Sequence, residues 1–483
     1  MAAQGVTPMS EDYARWYTDV VKMADLADNA PVRGCMIIKP YGYELWENIK
    51  SALDVRFKAT GHRNAYFPLF IPMSFIEKEA EHVEGFAPEL AVVTHGGGKE
   101  LEEPLVVRPT SETVIGHAFS DWIQSYRDLP LLINQWCNVV RWELRPRLFL
   151  RTTEFLWQEG HTAHATEAEA REETLRMLDI YADMAINECA IPVIRGRKSD
   201  QEKFAGAAES YTIEGMMGNS WALQSGTSHF LGQNFAKVFG IQYLDEANEQ
   251  QYAWTTSWGV STRMIGGVIM AHGDDKGLRL PPRIAPYQVV ITPIWRSDDE
   301  QTLVHSYCTG VEDQLKAAGI RYHVDRREGL SPGFKFNDWE MRGVPIRIEA
   351  GPRDCENHSV MVARRDVPGK EGKQVIPVHL LATTITELLE EIQANMLQQA
   401  TEFRDARLHE AATYGELKEQ VDGGWSLIWH CGTPECEDRI KEGTKASSRC
   451  FPLTENTEWN PKGATCAVCG APAFGRAYFA RAY

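Results

Sequence analysis

The stretch NVVRWELRPRLFLRTTEFLWQEGHTAHA, residues 138–165, decides the fold of this chain. Strand-forming residues flank a basic segment, Arg145 to Arg147, and predict two strands joined by a loop. The charged or titratable side chains among them include Arg141, Glu143, Arg147, Arg151, Glu154, Glu159, His161 and His164. Arginine forks bind phosphate and carboxylate oxygens in pairs, so this density favours a site for a polyanion and a small zwitterion. The alternative, a hairpin with one solvated face, fits less well because the charges do not keep a period of two.

The composition is that of an ordinary globular protein with several domains. The chain has 483 residues, 43% of them hydrophobic and 24% charged, and this length predicts about two to four domains. No apolar run is long enough to span a membrane, and residues 1–16 have no signal-peptide pattern. We therefore expect a cytoplasmic protein with no membrane partner.

The net charge and the positions of the cysteines limit the kinds of binding partner, compartment and metal site that we expect. The net charge of −17 argues against broad nucleic-acid binding and against DNA, so any RNA-binding face must be locally basic. Five of the ten cysteines are scattered singly, which indicates a reducing compartment. The pairs Cys431–Cys436 and Cys466–Cys469 have the spacing of a structural, tetrahedral zinc site. Cys450 is a spare that either replaces one ligand or is a buried thiol.

The first half of the chain predicts helices at residues 11–29, 42–58, 113–126, 166–189 and 260–271. Strands are predicted at residues 64–73, 91–99, 104–108, 191–194, 211–217, 221–225 and 252–258. Thr166 and Glu169 have the spacing of a capping box. Pro68 and Pro72 interrupt the strand at 64–73, which favours an edge strand. That strand is either part of a dimer interface or a plain core strand beside a loop.

Two positions lie where a predicted strand gives way to a helix, so their side chains are expected to project into a cleft. Thr110 and Glu112 are at one junction, and Arg263 in the first turn of the helix after residues 252–258 is at the other. The alternatives are helix capping by Thr110 or Ser111, and an Arg263 that is simply solvated.

Residues 280–286 predict a linker, and strand–helix alternation from 288 to 395 predicts a small α/β domain with a mixed sheet. Between Arg321 and Lys373 there are eleven Lys and Arg against nine Asp and Glu, so this window is locally basic and suits RNA phosphates. A salt-bridged surface is the alternative. Lys335 and Glu340, on one predicted helix, offer a donor and an acceptor to unstacked bases, unless they are a solvated ion pair. Residues 396–421 are predicted to continue as a helix.

These residues resemble the prolyl-tRNA synthetases, a family of class II aminoacyl-tRNA synthetases, in the form typical of archaea and eukaryotes. Family motif 1 is similar to Gly61–Pro72, motif 2 to residues 141–143 and 149–154, and motif 3 to Trp258–Arg263. The segment RPTSE, residues 108–112, resembles the proline-binding loop. The stretches RTTEFLWQEGHTAHA and GTSHFLG are long, specific matches.

The resemblance implies an α+β fold built as a homodimer, with an antiparallel class II catalytic sheet over residues 1–284. An α/β anticodon-binding domain over 285–395 and a small zinc-bearing α/β domain over 396–483 would follow. It implies activation of L-proline by ATP with Mg²⁺, then transfer of the prolyl group to tRNA(Pro). About ninety residues separate Glu159 from Tyr252, which leaves no room for the large editing insertion of bacterial-type enzymes, so misactivation of alanine or cysteine is expected.

The resemblance also implies roles for individual residues. Arg141 and Arg263 would be catalytic, with Arg141 bridging the proline carboxylate and the α-phosphate. The implied ATP-binding residues are Arg141, Glu143, Arg151, Thr152, Phe155, Gln224, Thr227 and Arg263. The implied proline-binding residues are Thr110, Glu112, Arg141, Trp157, Glu159, His161, Phe204, His229 and Ser257. The implied zinc ligands are Cys431, Cys436, Cys466 and Cys469, and the implied tRNA-binding residues are Lys335 and Glu340.

Two other functions compete with this interpretation. A synthetase for threonine, glycine or histidine is the nearest, but a threonine enzyme would carry a catalytic zinc, and Cys137 and Cys189 lie outside any ligand cluster in the sequence. A synthetase-like RNA-binding protein without activity would usually lose the phosphate-binding arginines, which are present here.

The C-terminal segment is unusually aromatic, with Phe474, Tyr478, Phe479 and Tyr483 close together. We expect it to dock on the catalytic domain, with the Tyr483 carboxylate directed towards the basic cleft. The alternative is that these rings complete the core of the zinc domain.

Overall fold

The computed structural model describes residues 5–80, 90–455 and 457–483. The helices of its first part are α1 (Tyr13–Met23), α2 (Pro40–Ala59), α3 (Met73–Ala80), α4 (Glu112–Trp122), α5 (Glu167–Asp183), α6 (Asn234–Phe239) and α7 (Arg263–His272). The strands are β1 (Ala27–Asn29), β2 (Met36–Ile38), β3 (Arg63–Asn64), β4 (Phe70–Pro72), β5 (Ala91–Gly96), β6 (Lys99–Val107), β7 (Leu131–Val140), β8 (Glu154–His164), β9 (Ile194–Arg197), β10 (Glu209–Met216), β11 (Ala222–Gly232), β12 (Gln242–Leu244), β13 (Gln250–Tyr252) and β14 (Trp254–Ser261).

The second part contains β15 (Val289–Pro293), α8 (Asp298–Ala317), β16 (Tyr322–Val324), α9 (Pro332–Met341), β17 (Ile346–Ala350), α10 (Pro352–Glu356), β18 (Ser359–Arg364), β19 (Lys373–Pro377) and α11 (Leu381–Asp405). The third part contains β20 (Leu408–Glu410), α12 (Tyr414–Gln420), β21 (Trp425–His430), α13 (Pro434–Thr444), β22 (Ser447–Pro452) and β23 (Gly475–Ala480). The five-stranded sheet of the second part, in the order β16-β15-β17-β18-β19, mixes parallel and antiparallel pairs, which confirms the predicted mixed sheet.

An eleven-stranded sheet connects the first and third parts, in the order β20-β21-β23-β22-β9-β10-β11-β14-β8-β7-β3. The predicted hairpin is confirmed as β7 and β8, which pair antiparallel from Leu131 opposite Ala163 to Val140 opposite Glu154. At Gly160 a Cβ atom would overlap the ring of Trp258 on the neighbouring strand β14. Glycine is therefore required there for the two strands to pack with Trp258 buried between them.

The largest core packs α1, α2, α5 and α7 against the sheet. Trp16, Phe57, Tyr181 and Trp258 are all almost fully buried in it. Phe57 lies 4.9 Å from Trp258 and 6.2 Å from Tyr181 between ring centroids, so aromatic contacts hold α2 and α5 to β14. Within the described ranges, no helix has the length and apolar character needed to cross a membrane.

Several predictions that rest on short-range sequence patterns are confirmed by the structure. Thr166 and Glu169 form the predicted capping box at the start of α5. The helix after β14 begins at Arg263, as the first-turn prediction requires, but Val260 belongs to the strand. The strand predicted at 64–73 is divided into β3 and β4, which pair with β7 and β6.

One long helix prediction is wrong. Residues 396–421 do not continue as a helix, because α11 ends at Asp405 and β20 and α12 follow. Leu408 instead pairs in parallel with Trp425 of β21. The stretch has few large apolar residues with which a helix could pack, and pairing with a buried strand replaces the helical hydrogen bonds.

A buried ion pair accompanies the junction between β9 and β22. Phe451 pairs with Arg197 and Pro452 with Gly196, so the third part extends the catalytic sheet directly. Next to this junction, the Arg449 guanidinium donates to Glu214 at 2.9 Å, and the two side chains are 7% and 0% exposed. Thr212 donates to the other oxygen of Glu214 at 2.8 Å. The carboxylate therefore receives hydrogen bonds from both parts of the chain.

We expect Arg449→Met to lower the free energy of unfolding by about 3–5 kcal/mol, because it leaves the Glu214 carboxylate buried without its counter-charge. Urea denaturation measures this change. The double variant Arg449→Met/Glu214→Leu should recover most of the loss, since neither charge then remains buried alone. A single variant as stable as the parent would show that the pair contributes nothing.

Candidate functional site

A cavity of about 230 Å³ is lined by residues of β8, β11 and β14 and of the segments around them. It brings together most of the predicted site residues. Those lining it are Thr110, Glu112, Arg141, Phe155, Trp157, Glu159, His161, Phe204, Gln224, Thr227, His229, Ser257 and Arg263.

Two hydroxyl groups bind two carboxyl groups at one end of the cavity. The Thr110 hydroxyl donates to Glu112, and both side chains are buried. Ser111 is at the N-cap position of α4 but makes no capping bond, because its hydroxyl donates to Glu159 at 2.5 Å. Thr110 and Ser111 therefore serve the cavity rather than the helix end, and a carboxylate is left facing the space.

Glu159 is the centre of a buried hydrogen-bond network. Its oxygens accept from Gln135 Nε2 at 2.9 Å and lie 3.1 Å from His161 Nε2. Burial would raise the pKa of Glu159, but hydrogen bonds from His161, Ser111 and Gln135 hold it below its usual range. Burial would likewise lower the pKa of His161, yet Glu159 and the charge of Glu112 raise it. Each member of the pair therefore stabilises the charged form of the other.

The surroundings of His229 lower its pKa, whereas those of His161 raise the pKa of that residue. Burial, followed by the charges of Lys198, His161 and Arg141, lowers the pKa of His229 to about 3. Its Nδ1 is 2.8 Å from the Ser210 hydroxyl, and its ring lies 4.8 Å from that of Phe204. A neutral imidazole packed at a tilt against a phenyl ring forms an apolar wall.

Arg141 lines the cavity beside two aromatic rings. Its guanidinium is 5.6 Å from the Phe155 ring and 5.3 Å from the Trp157 ring, and its Nε donates to the Pro109 carbonyl at 3.0 Å. Trp157 Nε1 donates to Cys137 Sγ at 3.2 Å, which fixes the indole. Stacking with two rings pre-orients a planar cation for bidentate recognition of an anion.

The opposite side of the cavity carries Gln224, Thr227 and Arg263. Burial, followed by the charges of Arg151 and Arg141, lowers the pKa of Arg263 to about 10. Arg263 therefore stays a cation at neutral pH, and its Nε donates to the Leu150 carbonyl at 3.1 Å. A site with several cations and a lowered arginine pKa is prepared for a polyanion.

Three predicted ATP-binding residues do not line this cavity. Glu143 and Arg151 are on the loop between β7 and β8, with 3.8 Å between their charged atoms. Thr152 is 4% exposed, and its hydroxyl donates to the Glu154 carbonyl at 2.7 Å. The structure therefore places Thr152 as a support of its own loop, and Glu143 and Arg151 beside the cavity.

Sequence reasoning missed part of the lining. Lys198, Glu202 and Lys203 line the cavity from the loop between β9 and β10. Lys198 is 5% exposed and donates to Gln224 Oε1 at 2.9 Å. The charged run KSDQEK before Phe204 was the only signal for these residues.

A second cluster lies in the third part of the chain. His430, Cys431, Cys436 and Cys466 place their ligand atoms within 4.8 Å of one another, and Cys469 Sγ is 3.9 Å from Cys431 Sγ. The four predicted cysteines therefore converge, and three thiolates with a further thiol or imidazole suit zinc. His430 was not predicted, because the search followed cysteine spacing.

Cys450 is not part of this cluster. It is fully buried opposite Tyr478 in β22, and it packs where a Cβ at Gly196 would stand. Of the two sequence alternatives, the buried thiol is the one that the structure supports.

Lys335 and Glu340 are both on α9 but are not brought together. Lys335 is 3% exposed, and its ammonium donates to the Asp325 carbonyl at 3.1 Å. Glu340 lies 3.0 Å from Arg347 in a separate cavity of about 410 Å³. The basic residues of that cavity are Lys276, Arg347, Arg364, Arg365, Lys370 and Lys373.

The predicted docking of the aromatic segment is confirmed in part. The Tyr483 backbone N–H donates to the Ala222 carbonyl at 3.1 Å, and its ring lies 5.3 Å from that of Trp221. Phe474 and Phe479 instead belong to the core of the third part, as the alternative stated. The direction of the Tyr483 carboxylate stays a prediction.

Comparison with known families assigns each part of the chain. Residues 93–272 match the tRNA synthetase class II core domain (G, H, P, S and T). Residues 288–395 match the anticodon binding domain, and residues 414–483 match the prolyl-tRNA synthetase C-terminal domain.

A proline–tRNA ligase from Roseiflexus sp. is 56% identical to the chain, and the match covers 100% of both sequences. The chain belongs to the class II prolyl-tRNA synthetases. The C-terminal domain identifies the archaeal/eukaryotic-type form of the family, and the activity is that of a proline–tRNA ligase. Class II synthetases use ATP, and the Cys/His cluster indicates zinc.

Two further prolyl-tRNA synthetases extend the comparison. The chloroplastic/mitochondrial proline–tRNA ligase of Arabidopsis thaliana is 56% identical, over 99% of this chain and 88% of its own length. The crystal structure of prolyl-tRNA synthetase from Cryptosporidium parvum, complexed with halofuginone and AMPPNP, superimposes with a TM-score of 0.94. It is 40% identical, and the match covers 99% of each chain.

We expect about one zinc ion per chain, bound by the cysteine cluster, and Cys466→Ser should lose most of it because one thiolate ligand is removed. Metal analysis of the purified protein by mass spectrometry measures the content. Cys450→Ser is the matched control and should keep its zinc, since Cys450 lies away from the cluster. Zinc-free parent protein, or full retention in Cys466→Ser, would contradict this assignment.

Proposed function

We propose that the cavity activates L-proline with ATP and that Arg141 serves both reacting groups. The proline carboxylate attacks the α-phosphate, which forms prolyl-adenylate and releases pyrophosphate. A hydroxyl of the terminal adenosine of tRNA(Pro) then attacks the activated carbonyl and releases AMP. No protein nucleophile is needed, so positioning and charge stabilisation supply the catalysis.

The position of Arg141 is the observation that supports this assignment. Its guanidinium lines the same cavity as Glu112 and Arg263, and its charge helps to lower the pKa of Arg263 after burial. Negative charge develops on the oxygens of the α-phosphate during attack, and a pre-oriented guanidinium stabilises that charge without reorganisation. Mg²⁺ that enters with ATP neutralises charge on the triphosphate.

The amino-acid end fits proline by charge and by shape. Glu112, held by Thr110, faces the position of the secondary ammonium, while Trp157, Phe204 and His229 form an apolar surface for the ring. His161 and Ser257 complete this end of the cavity, and Glu159 holds His161 and Ser111 in place. No polar group is required of the substrate beyond its amine and carboxylate.

The nucleotide end fits ATP. Phe155 and Arg263 would hold the adenine ring between them, by stacking and by a cation–π contact. Gln224 and Thr227 would contact the nucleotide from β11, while Glu143 would accept from the adenine amino group. Arg151 and Thr152 are proposed for the distal phosphates only after a movement of their loop, since neither lines the present cavity.

Discrimination against smaller amino acids is expected to be weak. An apolar wall separates substrates that differ by one methylene by only about 1–3 kcal/mol. The segment from α5 to β13 fills the connection between β8 and β14 with elements of the catalytic part. We therefore propose measurable activation of alanine or cysteine without a dedicated editing domain.

We propose the three domains and the homodimer that the sequence predicts. Residues 1–284 would form the catalytic domain, 285–395 the anticodon-binding domain and 396–483 the zinc-binding domain. Exposed Tyr66 and Phe70, beside Pro68, favour a homodimer interface. We propose the cytoplasm as the compartment, although one relative is named chloroplastic/mitochondrial.

For tRNA(Pro), we propose the basic cavity next to α9 as the contact with the anticodon. Glu340 belongs to it, and cationic side chains there can bind phosphate while Phe336 offers a stacking surface. Lys335 would support this face indirectly, because it is buried against Asp325.

Arg141→Ala is expected to lower proline-dependent ATP–pyrophosphate exchange by roughly 10²–10³-fold, because one guanidinium serves both reacting groups. Arg145→Ala, on the same loop but exposed, is the matched control and should stay near the parent rate. Near-normal exchange by the Arg141 variant, with the fold intact by circular dichroism, would remove Arg141 from the reaction. Threonine or histidine in place of proline should give no exchange.

Lys373→Ala is expected to raise the KM for tRNA(Pro) by roughly threefold to tenfold in aminoacylation, with pyrophosphate exchange unchanged, because it removes a cation from the anticodon face. Lys335→Ala should instead lower the thermal midpoint, since its buried ammonium holds the Asp325 carbonyl. If Lys373→Ala left the KM for tRNA unchanged, the cavity beside α9 would not be the tRNA contact.

A further inference from the structure

The loop from Lys198 to Gly206, between β9 and β10, forms one wall of the amino-acid end of the cavity. Its last residues are held by the catalytic part itself. The Phe204 backbone N–H donates to the Ser210 hydroxyl at 3.0 Å, and Asn234 Nδ2 donates to the Gly206 carbonyl at 2.9 Å. Phe204 is the residue of this loop that faces the proposed proline ring.

The first residues of the same loop are held by the zinc-binding part. The Ser199 hydroxyl donates to Glu437 Oε2 at 3.0 Å, and Gln201 Nε2 donates to Asp438 Oδ1 at 2.8 Å. Ser199 and Glu437 are 3% and 4% exposed, so water does not readily replace this bond. Both acceptors are on α13, which comes 238 residues after Ser199 in the chain.

The base of α13 is firmly placed. Cys436 of the metal cluster is in its first turn, and the β9–β22 pairing connects the same part to the strand that leads into the loop. A rigid helix with two side-chain acceptors therefore faces a loop that has no helix or strand of its own. The loop is held by Gln224 through Lys198, by α13 through Ser199 and Gln201, and by Ser210 and Asn234 at its last residues.

We propose that Glu437 and Asp438 are positioning residues for the amino-acid pocket, acting through Ser199 and Gln201 on Phe204. Neither residue lines the cavity, so neither contacts the substrate. The proposal rests on the proposed placement of proline against Phe204. It makes the zinc-binding domain part of the apparatus that selects and holds the amino acid.

Removal of the Glu437 carboxylate leaves the Ser199 hydroxyl buried without its acceptor, and a loop with that defect populates other positions. Glu437→Ala is therefore expected to raise the KM for proline about tenfold, with kcat and the KM for ATP within about twofold of the parent. Glu437→Gln keeps an acceptor oxygen and should restore the KM for proline. If Glu437 contributed to stability alone, its removal would not change the KM for proline differently from the KM for ATP.

The experiment measures ATP–pyrophosphate exchange against proline and against ATP for the full-length variants. The set is Glu437→Ala, Glu437→Gln, Ser199→Ala, Ser199→Ala/Glu437→Ala and Asp438→Asn. Glu442→Ala, an exposed glutamate on the same helix, is the matched control and should match the parent. The double variant should raise the KM for proline no more than either single variant, because both remove the same bond.

Two readouts accompany the kinetics. Hydrogen–deuterium exchange of the peptide covering residues 198–206 should become faster in Glu437→Ala and Ser199→Ala and stay unchanged in Glu442→Ala. Zinc content is measured for each variant. If Glu437→Ala fails to fold or loses its metal, Ser199→Ala decides the question, because it breaks the bond from the loop side.

Equal changes in the KM values for proline and ATP, additive effects in the double variant, or an unchanged KM for proline in Ser199→Ala would overturn the proposal. The variant Phe204→Ala distinguishes failure of the anchoring by α13 from failure of the proposed placement of proline against Phe204. If Phe204→Ala raises the KM for proline while Ser199→Ala does not, the anchoring by α13 alone is wrong. If Phe204→Ala has no effect, the placement of proline against Phe204 is wrong.

Discussion

The pairing of β9 with β22 is the contact on which the rest of this structure depends. It makes one sheet from strands of the class II core and of the C-terminal domain, although more than 240 residues lie between them in the chain. The pairing is possible because Gly196 has no side chain where Cys450 packs. On one side of this junction Arg449 reaches Glu214, and on the other the chain enters the loop that carries Phe204.

The buried charged side chains of the cavity are stabilised by neighbouring protein groups rather than by water. Glu159 is 2% exposed and would be expensive to ionise alone, yet it is surrounded by Ser111 before α4, Gln135 of β7 and His161 of its own strand. The cationic side has the reverse arrangement, because burial, together with repulsion from Arg151 and Arg141, lowers the pKa of Arg263. An anionic ligand bound on this side would relieve the repulsion, so the arrangement favours phosphate.

Much of the catalytic core could be predicted from the sequence, because its signals are local. The hairpin of β7 and β8, the capping box at Thr166 and the strand-to-helix junctions at Glu112 and Arg263 all follow from short-range patterns. His430 directly precedes Cys431, but the spacing of the cysteine pairs alone does not indicate it. The lining by Lys198 could not be predicted, since it depends on contacts between distant segments. The helix predicted across residues 396–421 failed for the same reason, because Leu408 finds a strand partner in β21.

The close approach at Gly196 also bears on how this protein can change in evolution. A C-terminal domain taken from a relative would have to present a small side chain opposite Gly196, a cation for Glu214 and acceptors for the loop at Ser199. Recombination at the boundary before residue 408 would disturb all three contacts together. We therefore expect exchange of the C-terminal domain between relatives to require matching changes on the other side of the junction.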